Sequence, residues 1–493
     1  MLGATPREFE SRILRQLWTV ARRPEVAIPD SDRPRRAGVL AAALLAVAAA
    51  CLGVTQLLGP SATESPLGRH DDGATPPWHL ASAPPDWLVV VLPALAVVAG
   101  VVTVALALTG RWRPSAHRLT IAGVLVVGAL AMLPPIGSAD SLSYAAYGRM
   151  VATGHDPYST TPAGLARTGD PVGAAVEIPW QHTPSVYGPI ATAEQAAASA
   201  IAGRNVPLTV LLLGVVNALA FAGIGLLALR LADGEPAKAR VAALWSANPL
   251  LWLAVGSGGH LDVLAALPAV GALAVLGRSR LGAGALAGAA LSLKAPGGLV
   301  LVALAWVRRR SRRDLLELVV GAGVMAVPGY AVAGTAAFDQ LSRASRLVSL
   351  ATPWRLLVDS AHPPRRLVGI LAFVLFALLV VALSRRGPRP QTAAAVAVVL
   401  TVAYVLAAPY ALPWYDVLPW AMLPLAAASW RDWALLAHTA VLSLSYLPGR
   451  AAAVLGHPLH DVTWGMRTHV APLLLLLLLV AVAMWSRRAE PAA

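Results

Sequence analysis

The sequence predicts an all-α integral membrane protein: a polytopic bundle of about 12–13 transmembrane helices, with a re-entrant helical hairpin and a long extracytoplasmic loop. Three observations predict it. Of 493 residues, 57% are hydrophobic and 13% charged, against roughly 25% charged in soluble domains. Apolar runs of bilayer length, about 20 residues for a hydrocarbon core of ~30 Å, recur along the whole chain. The one long polar interruption, residues 137–205, is too long for a turn, and such connections are uncommon unless they carry function.

Residues 1–36 read as a basic cytoplasmic tail containing Pro29 and Pro34. Asp30-Ser31-Asp32 has the spacing with which nucleotide-sugar transferases hold a metal. It sits in a Pro/Arg linker with no α/β domain around it, so a solvated turn is expected. The membrane domain is expected over 37–485, followed by a cytoplasmic C-terminal tail, 486–493. Its first span, 37–59, carries the single cysteine, Cys51, so no internal disulfide can form. Arg35-Arg36 and an apolar run ahead of Cys51 faintly resemble a twin-arginine or lipoprotein signal, but Ala48-Ala49-Ala50 is a poor processing site, and a transmembrane helix is the expectation.

Spans at 87–109 and 119–136 follow, separated by Arg111, Arg113 and Arg118. The extracytoplasmic loop 137–205 ends in an Ala-rich interfacial helix, 190–203. Spans at 206–229 and 241–257 flank a turn with Lys238 and Arg240; the second ends on Gly256-Ser257-Gly258-Gly259-His260-Leu261-Asp262, and the chain returns to Arg278 and Arg280. Within 281–307 the apolar run breaks at Lys294-Ala295-Pro296-Gly297-Gly298, with arginines beyond both ends. A single crossing would put one arginine cluster outside, whereas a re-entrant hairpin keeps both inside, and broken helices are tolerated where backbone is buried in protein. Further spans are expected at 315–334, 367–384, 391–408, 412–430, 433–447 and 469–485. Outer loops are expected at 335–366 and 448–468.

The formal charge of +14 invites a nucleic-acid partner, but the arginines cluster between spans, as membrane orientation requires. With the N-terminus cytoplasmic, inside segments collect 27 of the 39 Lys and Arg, and outside segments 11. That topology puts Asp140, His260, Asp262, Trp354 and Trp414 on the outer face, and a multi-pass plasma-membrane protein with an extracytoplasmic site follows. Membrane lipids are the expected surroundings and nucleic acid is not a partner. No internal repeat is evident, which weakens a transporter built from repeated halves.

Asp140, just beyond a span, reads either as a functional acid or as the cap of the following helix. Tyr144 and Tyr147 share its helical face, an acid beside an aromatic platform suited to a sugar. His260 and Asp262 after a Gly-rich end could order a phosphate or a carboxylate. Metal is the weaker reading, because further ligands are not visible. Only Lys238 and Lys294 occur in a chain that otherwise uses arginine. Lys294 inside a broken apolar helix calls for a partner: a membrane acid or an anionic head group. Most of the 15 tryptophans read as interfacial belt residues. Trp180, Trp354 and Trp414, in or beside polar outer loops, are candidates for stacking on carbohydrate.

An Asp after an early span, an aromatic outer loop and many further spans resemble the C-type (GT-C) glycosyltransferases. More narrowly, Asp140-x-x-x-Tyr144-x-x-x-Gly148, Gly154-x-Asp156-Pro157-Tyr158, Pro184-x-x-Tyr187-Gly188-Pro189, Gly259-His260-x-Asp262 and Lys294-x-Pro296 together resemble the actinobacterial polyprenol-phosphomannose-dependent α-1,6-mannosyltransferases. The resemblance implies transfer of mannose from a polyprenyl-phosphate-mannose donor to an outer-face mannan or glycolipid acceptor. It implies inversion by single displacement with Asp140 as general base. His260, Lys294 and Arg355 would attend the donor phosphate. Tyr144, Tyr147, Asp156, Tyr158, Trp180, Tyr187, Asp262, Trp354 and Trp414 would line the sugar and acceptor sites. No cofactor is demanded, and a divalent cation bridging Asp140 and phosphate stays open. The alternatives are a related transferase for another lipid-linked sugar, such as arabinofuranose, and a transporter or flippase for polyprenyl-linked sugars.

Overall fold

A computed structural model describes residues 33–68, 76–112, 114–385, 391–451, 453 and 455–487. Asp30-Ser31-Asp32, the rest of 1–32 and the terminal 488–493 lie outside the described residues. The protein is an all-α polytopic membrane protein. Among the described residues, six helices are long and apolar enough to cross a bilayer: Arg36–Leu57, Asp86–Leu108, Val206–Leu231, Arg312–Ala344, Arg365–Arg385 and Leu459–Ser486. Shorter apolar helices, Ala116–Leu130, Asp262–Val275, Arg280–Leu293, Ala295–Arg308 and Ala393–Ala407, pack among them. Cys51 is buried within the first helix.

Two segments expected as continuous spans are broken. Residues 241–257 form two π-helical turns, Ala242–Ser246 and Trp252–Ser257, around Asn248-Pro249. The residue before a proline is pushed out of the helical region, and the Asn248 side chain accepts the amide of Leu250 instead. Residues 412–430 carry Pro413, Pro419 and Pro424, and reduce to short 3-10 and α turns.

The hairpin predicted at 281–307 is present. Its arms, Arg280–Leu293 and Gly298–Arg308, are separated by an extended residue, Lys294, and a 3-10 turn, Ala295–Gly297. Both open ends meet one carboxylate, because Arg280 Nε lies 3.5 Å and Arg308 Nε 3.8 Å from Asp314 Oδ2. The Lys294 turn is therefore at the opposite end of the hairpin from the arginines.

The stretch leading into the helix Asp140–Ala152 is held by side chains from three other segments. Gln56 Nε2 donates to the carbonyls of Leu130 (3.1 Å) and Pro134 (2.9 Å), and its Oε1 accepts from Ser257 Oγ at 2.8 Å. The amide of Ile136 donates to Ser257 O and that of Gly137 to Thr63 O, while Ser65 Oγ donates to Ser138 O at 2.6 Å. Gln56, Ser65 and Ser257 are fully buried, so each unmade bond there would leave a desolvated polar atom. Arg450 binds Glu177 (Nε to Oε2, 2.9 Å), tying the loop after residue 447 to the same layer.

Candidate active site

Asp140 is the first residue of its helix, and it does not cap it. The preceding residue, Ala139, occupies the cap position, and Ser138 Oγ accepts the Asp140 amide at 3.0 Å. The carboxylate is thereby left for other contacts. Its side chain is 14% exposed, with Oδ2 3.6 Å from His260 Nδ1, longer than a hydrogen bond. Burial pushes the Asp140 carboxyl up from 3.8 to about 6, against the opposing pull of Ser138 and Lys294.

His260 is buried and stacks on Trp414, ring centroids 3.5 Å apart and planes within 11°. Asp262 binds Lys294, Oδ1 to Nζ, at 2.6 Å, and the same ammonium lies 3.9 Å from the centre of the Tyr415 ring. Lys294 is thus partnered by a membrane acid and by an aromatic face. Tyr187 reaches this cluster because Gly188 is pressed against the hairpin. Its amide donates to Leu293 O at 3.2 Å, and a Cβ there would collide with the Ser292 carbonyl. Tyr187 then meets Tyr144 edge-on at 5.2 Å and Tyr147 at 6.3 Å. The Tyr147 hydroxyl donates to Thr183 O at 2.9 Å. Gly148 has a similar role one turn on, where a Cβ would strike the Gln195 backbone.

The turn bearing Trp414 and Tyr415 is anchored from below. Asp416, fully buried, accepts Thr439 Oγ1 at 2.6 Å and contacts His438 Nδ1 at 2.8 Å. Trp420 Nε1 in turn donates to Thr439 Oγ1 at 2.9 Å.

Asp140, Tyr147, Tyr187, Lys294, Trp414 and Tyr415 open onto a cavity of about 880 Å³. One end is polar and aromatic, with Asp140, Tyr147, Trp180, Tyr187, Lys294 and Trp414. The other is apolar, with Leu299, Gly369, Ala372, Phe373 and Phe376. Phe373 is 70% exposed on a helix whose composition fits lipid contact, so the apolar wall continues to the outside of the bundle.

Of the residues singled out from sequence, the fold brings together Asp140, Tyr144, Tyr147, Tyr187, His260, Asp262, Lys294 and Trp414, with Trp180 on the cavity wall. Tyr144, His260 and Asp262 sit behind the wall, in contact with residues that line it, and four others stand apart from the cluster. Asp156 is turned into its own loop, accepting the Tyr158 amide at 2.9 Å and Ser159 Oγ at 2.7 Å. Tyr158 is buried, its hydroxyl 3.0 Å from Thr192 Oγ1. Trp354 Nε1 donates to Ala407 O at 2.9 Å, and Arg355 pairs with Asp359 one turn on, at 2.7 Å. Conversely, Arg343, Tyr404, Tyr410 and Tyr415 line the cavity and were not anticipated. Pro409-Tyr410 and Trp414-Tyr415 were visible as aromatic, Pro-bearing breaks between apolar runs. Arg343 carried no signal. Among the described residues, no three His, Cys, Asp or Glu side chains converge as a metal-ligand set.

Fold and site together define a polytopic all-α membrane protein with a largely buried acid at the polar end of an amphiphilic cavity. The chain belongs to the alpha-(1->6)-mannopyranosyltransferase family, whose N-terminal domain description matches residues 35–310, just over half of it. That match contains Asp140, His260, Asp262 and Lys294 and ends before Arg343, Tyr404 and Trp414. Among curated relatives, it is similar to alpha-(1->6)-mannopyranosyltransferase A of Corynebacterium glutamicum, 30% identical over 176 residues, which are 35% of either chain. It is also similar to an alpha-(1->6)-mannopyranosyltransferase of Mycobacterium tuberculosis, 33% identical over 137 residues, 27% of this chain and 23% of the relative. The chain thus spans about a third or less of the length of these relatives. No solved structure gives a significant match.

Proposed function

We propose that the protein is a mannosyltransferase. It takes mannose from polyprenyl-phosphate-mannose and adds it through an α-1,6 linkage to a mannan or glycolipid acceptor at the outer membrane face. One observation carries the reading: a single cavity joins a largely buried carboxylate to an apolar wall that reaches the lipid-facing side of the bundle. A soluble nucleotide sugar has no use for that wall, whereas a sugar on a long isoprenoid tail has. The relatives' activity supports mannose as the sugar.

In this reading the sugar sits among Tyr147, Tyr187 and Trp414, its C–H faces on the rings. Asp140 accepts the proton of the acceptor hydroxyl as that oxygen attacks the anomeric carbon. The bond from that carbon to the phosphate oxygen breaks on the opposite face, giving an inverted glycoside and polyprenyl phosphate. A pKa of about 6 keeps Asp140 mostly ionised at neutral pH, yet more basic than a solvated carboxylate. The leaving phosphate carries its own charge, so donors and cations near it aid departure.

The test offers purified protein a matched set of donors, mannose and arabinofuranose on polyprenyl phosphate and GDP-mannose, with a short α-1,6-mannoside acceptor. Transfer from the lipid-linked mannose alone is expected. Transfer from GDP-mannose, or from the arabinofuranosyl lipid in its place, would overturn the reading.

A further inference from the structure

We propose that Arg343 is the cation that receives the donor's phosphate, an inference that rests on the lipid-phosphate reading above. The polar end of the cavity is short of positive charge. Lys294 is committed to Asp262 at 2.6 Å. With Asp140 ionised, these three groups sum to one negative charge facing an incoming phosphodiester, and like charges in a poorly solvated site repel strongly. Arg343 lines the same cavity and is exposed, and its side chain makes no hydrogen bond or ion pair with any described residue. Arg355, the outer-loop alternative, is bound to Asp359 and does not line the cavity.

The backbone explains how Arg343 gets there. The helix Arg312–Ala344 is interrupted at Gly334, whose φ of 67° is open to glycine but strained for other residues. The part beyond the interruption is re-aimed and fastened to the Asp156–Tyr158 turn. Gln340, buried, donates from Nε2 to Tyr158 O at 3.1 Å, and Tyr158 is itself locked to Thr192. One cavity wall is then formed by Gln340, Leu341, Arg343, Ala344, Ser345 and Leu347. That wall carries a cation beside both polar and apolar residues, as a phosphate between a sugar and an isoprenoid tail requires. Arginine suits the task because its planar donor fork can take two phosphate oxygens at once.

The experiment measures binding of farnesyl phosphate, and of uncharged farnesol, to the purified full chain in detergent. The native protein should prefer farnesyl phosphate. Arg343→Ala should weaken farnesyl phosphate by roughly tenfold or more, the scale of a charge-assisted contact, and leave farnesol unchanged. Arg343→Lys should recover part of the loss, and Arg346→Ala, one turn further along, should change nothing. Equal preference for farnesyl phosphate in native and Arg343→Ala protein would overturn the assignment. If the alanine variant does not fold, Arg343→Lys and the salt dependence of farnesyl phosphate binding to the native protein decide it: full native affinity in Arg343→Lys with no salt dependence counts against Arg343. Binding is read without turnover, so a native protein that transfers nothing would sink the mannosyltransferase reading while leaving this test intact. Native transfer with an unchanged donor KM in Arg343→Ala would sink the inference alone.

Discussion

Replacing Asp140 by Asn separates what this carboxylate costs from what it does. The side chain keeps its shape and loses its charge. Burial raises its pKa from 3.8 to about 6, and at 1.36 kcal/mol per unit the ionised form costs the folded state about 3 kcal/mol. The folded protein holds this proton more tightly than the unfolded chain. The cost is therefore absent below pH ~3.8, grows between ~3.8 and ~6, and is complete above. Asp140→Asn should thus unfold at a higher temperature than the native protein at neutral pH, with the gap closing as pH falls towards 4. At neutral pH transfer should fall by ~10²–10⁴, the usual contribution of a positioned base, and this gap too should shrink below pH ~6 as the native carboxylate takes up its proton. Thermal unfolding and transfer rates across that pH range, on the same two preparations, give both numbers. A variant that melts lower at neutral pH would mean that the charge is stabilised rather than burdened. A variant that transfers at the native rate would move the base elsewhere, with Asp262 the next carboxylate to examine.

In the native protein the rate of transfer should climb as pH passes through about 6 and then level off, because only the ionised carboxylate accepts a proton; a flat profile from pH ~4 to ~8 would contradict this. Lys294→Met strands the Asp262 charge in a buried site and should cost ~3–5 kcal/mol of stability, whereas Lys294→Met with Asp262→Leu should recover most of it without recovering transfer. His438→Ala removes a partner of buried Asp416 and should cost ~1–3 kcal/mol. It should also weaken transfer, because the turn bearing Trp414 and Tyr415 loses its anchor, and Thr439→Ala, measured in the same assay, should do the same. Transfer should persist in EDTA, the donor's charge being met by side chains; its abolition, with recovery on adding back magnesium or manganese, would assign that part to a metal.

Much of the architecture is legible in the chain because lipid imposes simple rules. Apolar runs of fixed length mark the helices, and two arginine clusters around a broken run imply the hairpin that Asp314 closes. Lys294 stands out for being a lysine at all. Asp140 stands out as an acid just past a span. What could not be read depends on contacts between distant residues. Tyr415 lies under Lys294 only because Asp416 finds His438, 22 positions on. Arg343 reaches the cavity only because the chain turns at Gly334 and Gln340 meets Tyr158, 182 residues away. Two placements did have a local signal. Arg355 and Asp359 are spaced for an i,i+4 pair, and Asp156-Pro157-Tyr158-Ser159 has the form of an Asx turn.

The most direct test of the account places the purified protein in liposomes with β-linked polyprenyl-phosphate-mannose and an α-1,6-mannoside acceptor. Glycoside formation and movement of the donor between leaflets are followed together. The account predicts a new α-linked mannoside from the native protein and none from Asp140→Asn. Donor crossing the bilayer with no glycoside formed would contradict it and make the protein a carrier of the lipid rather than an enzyme acting on it.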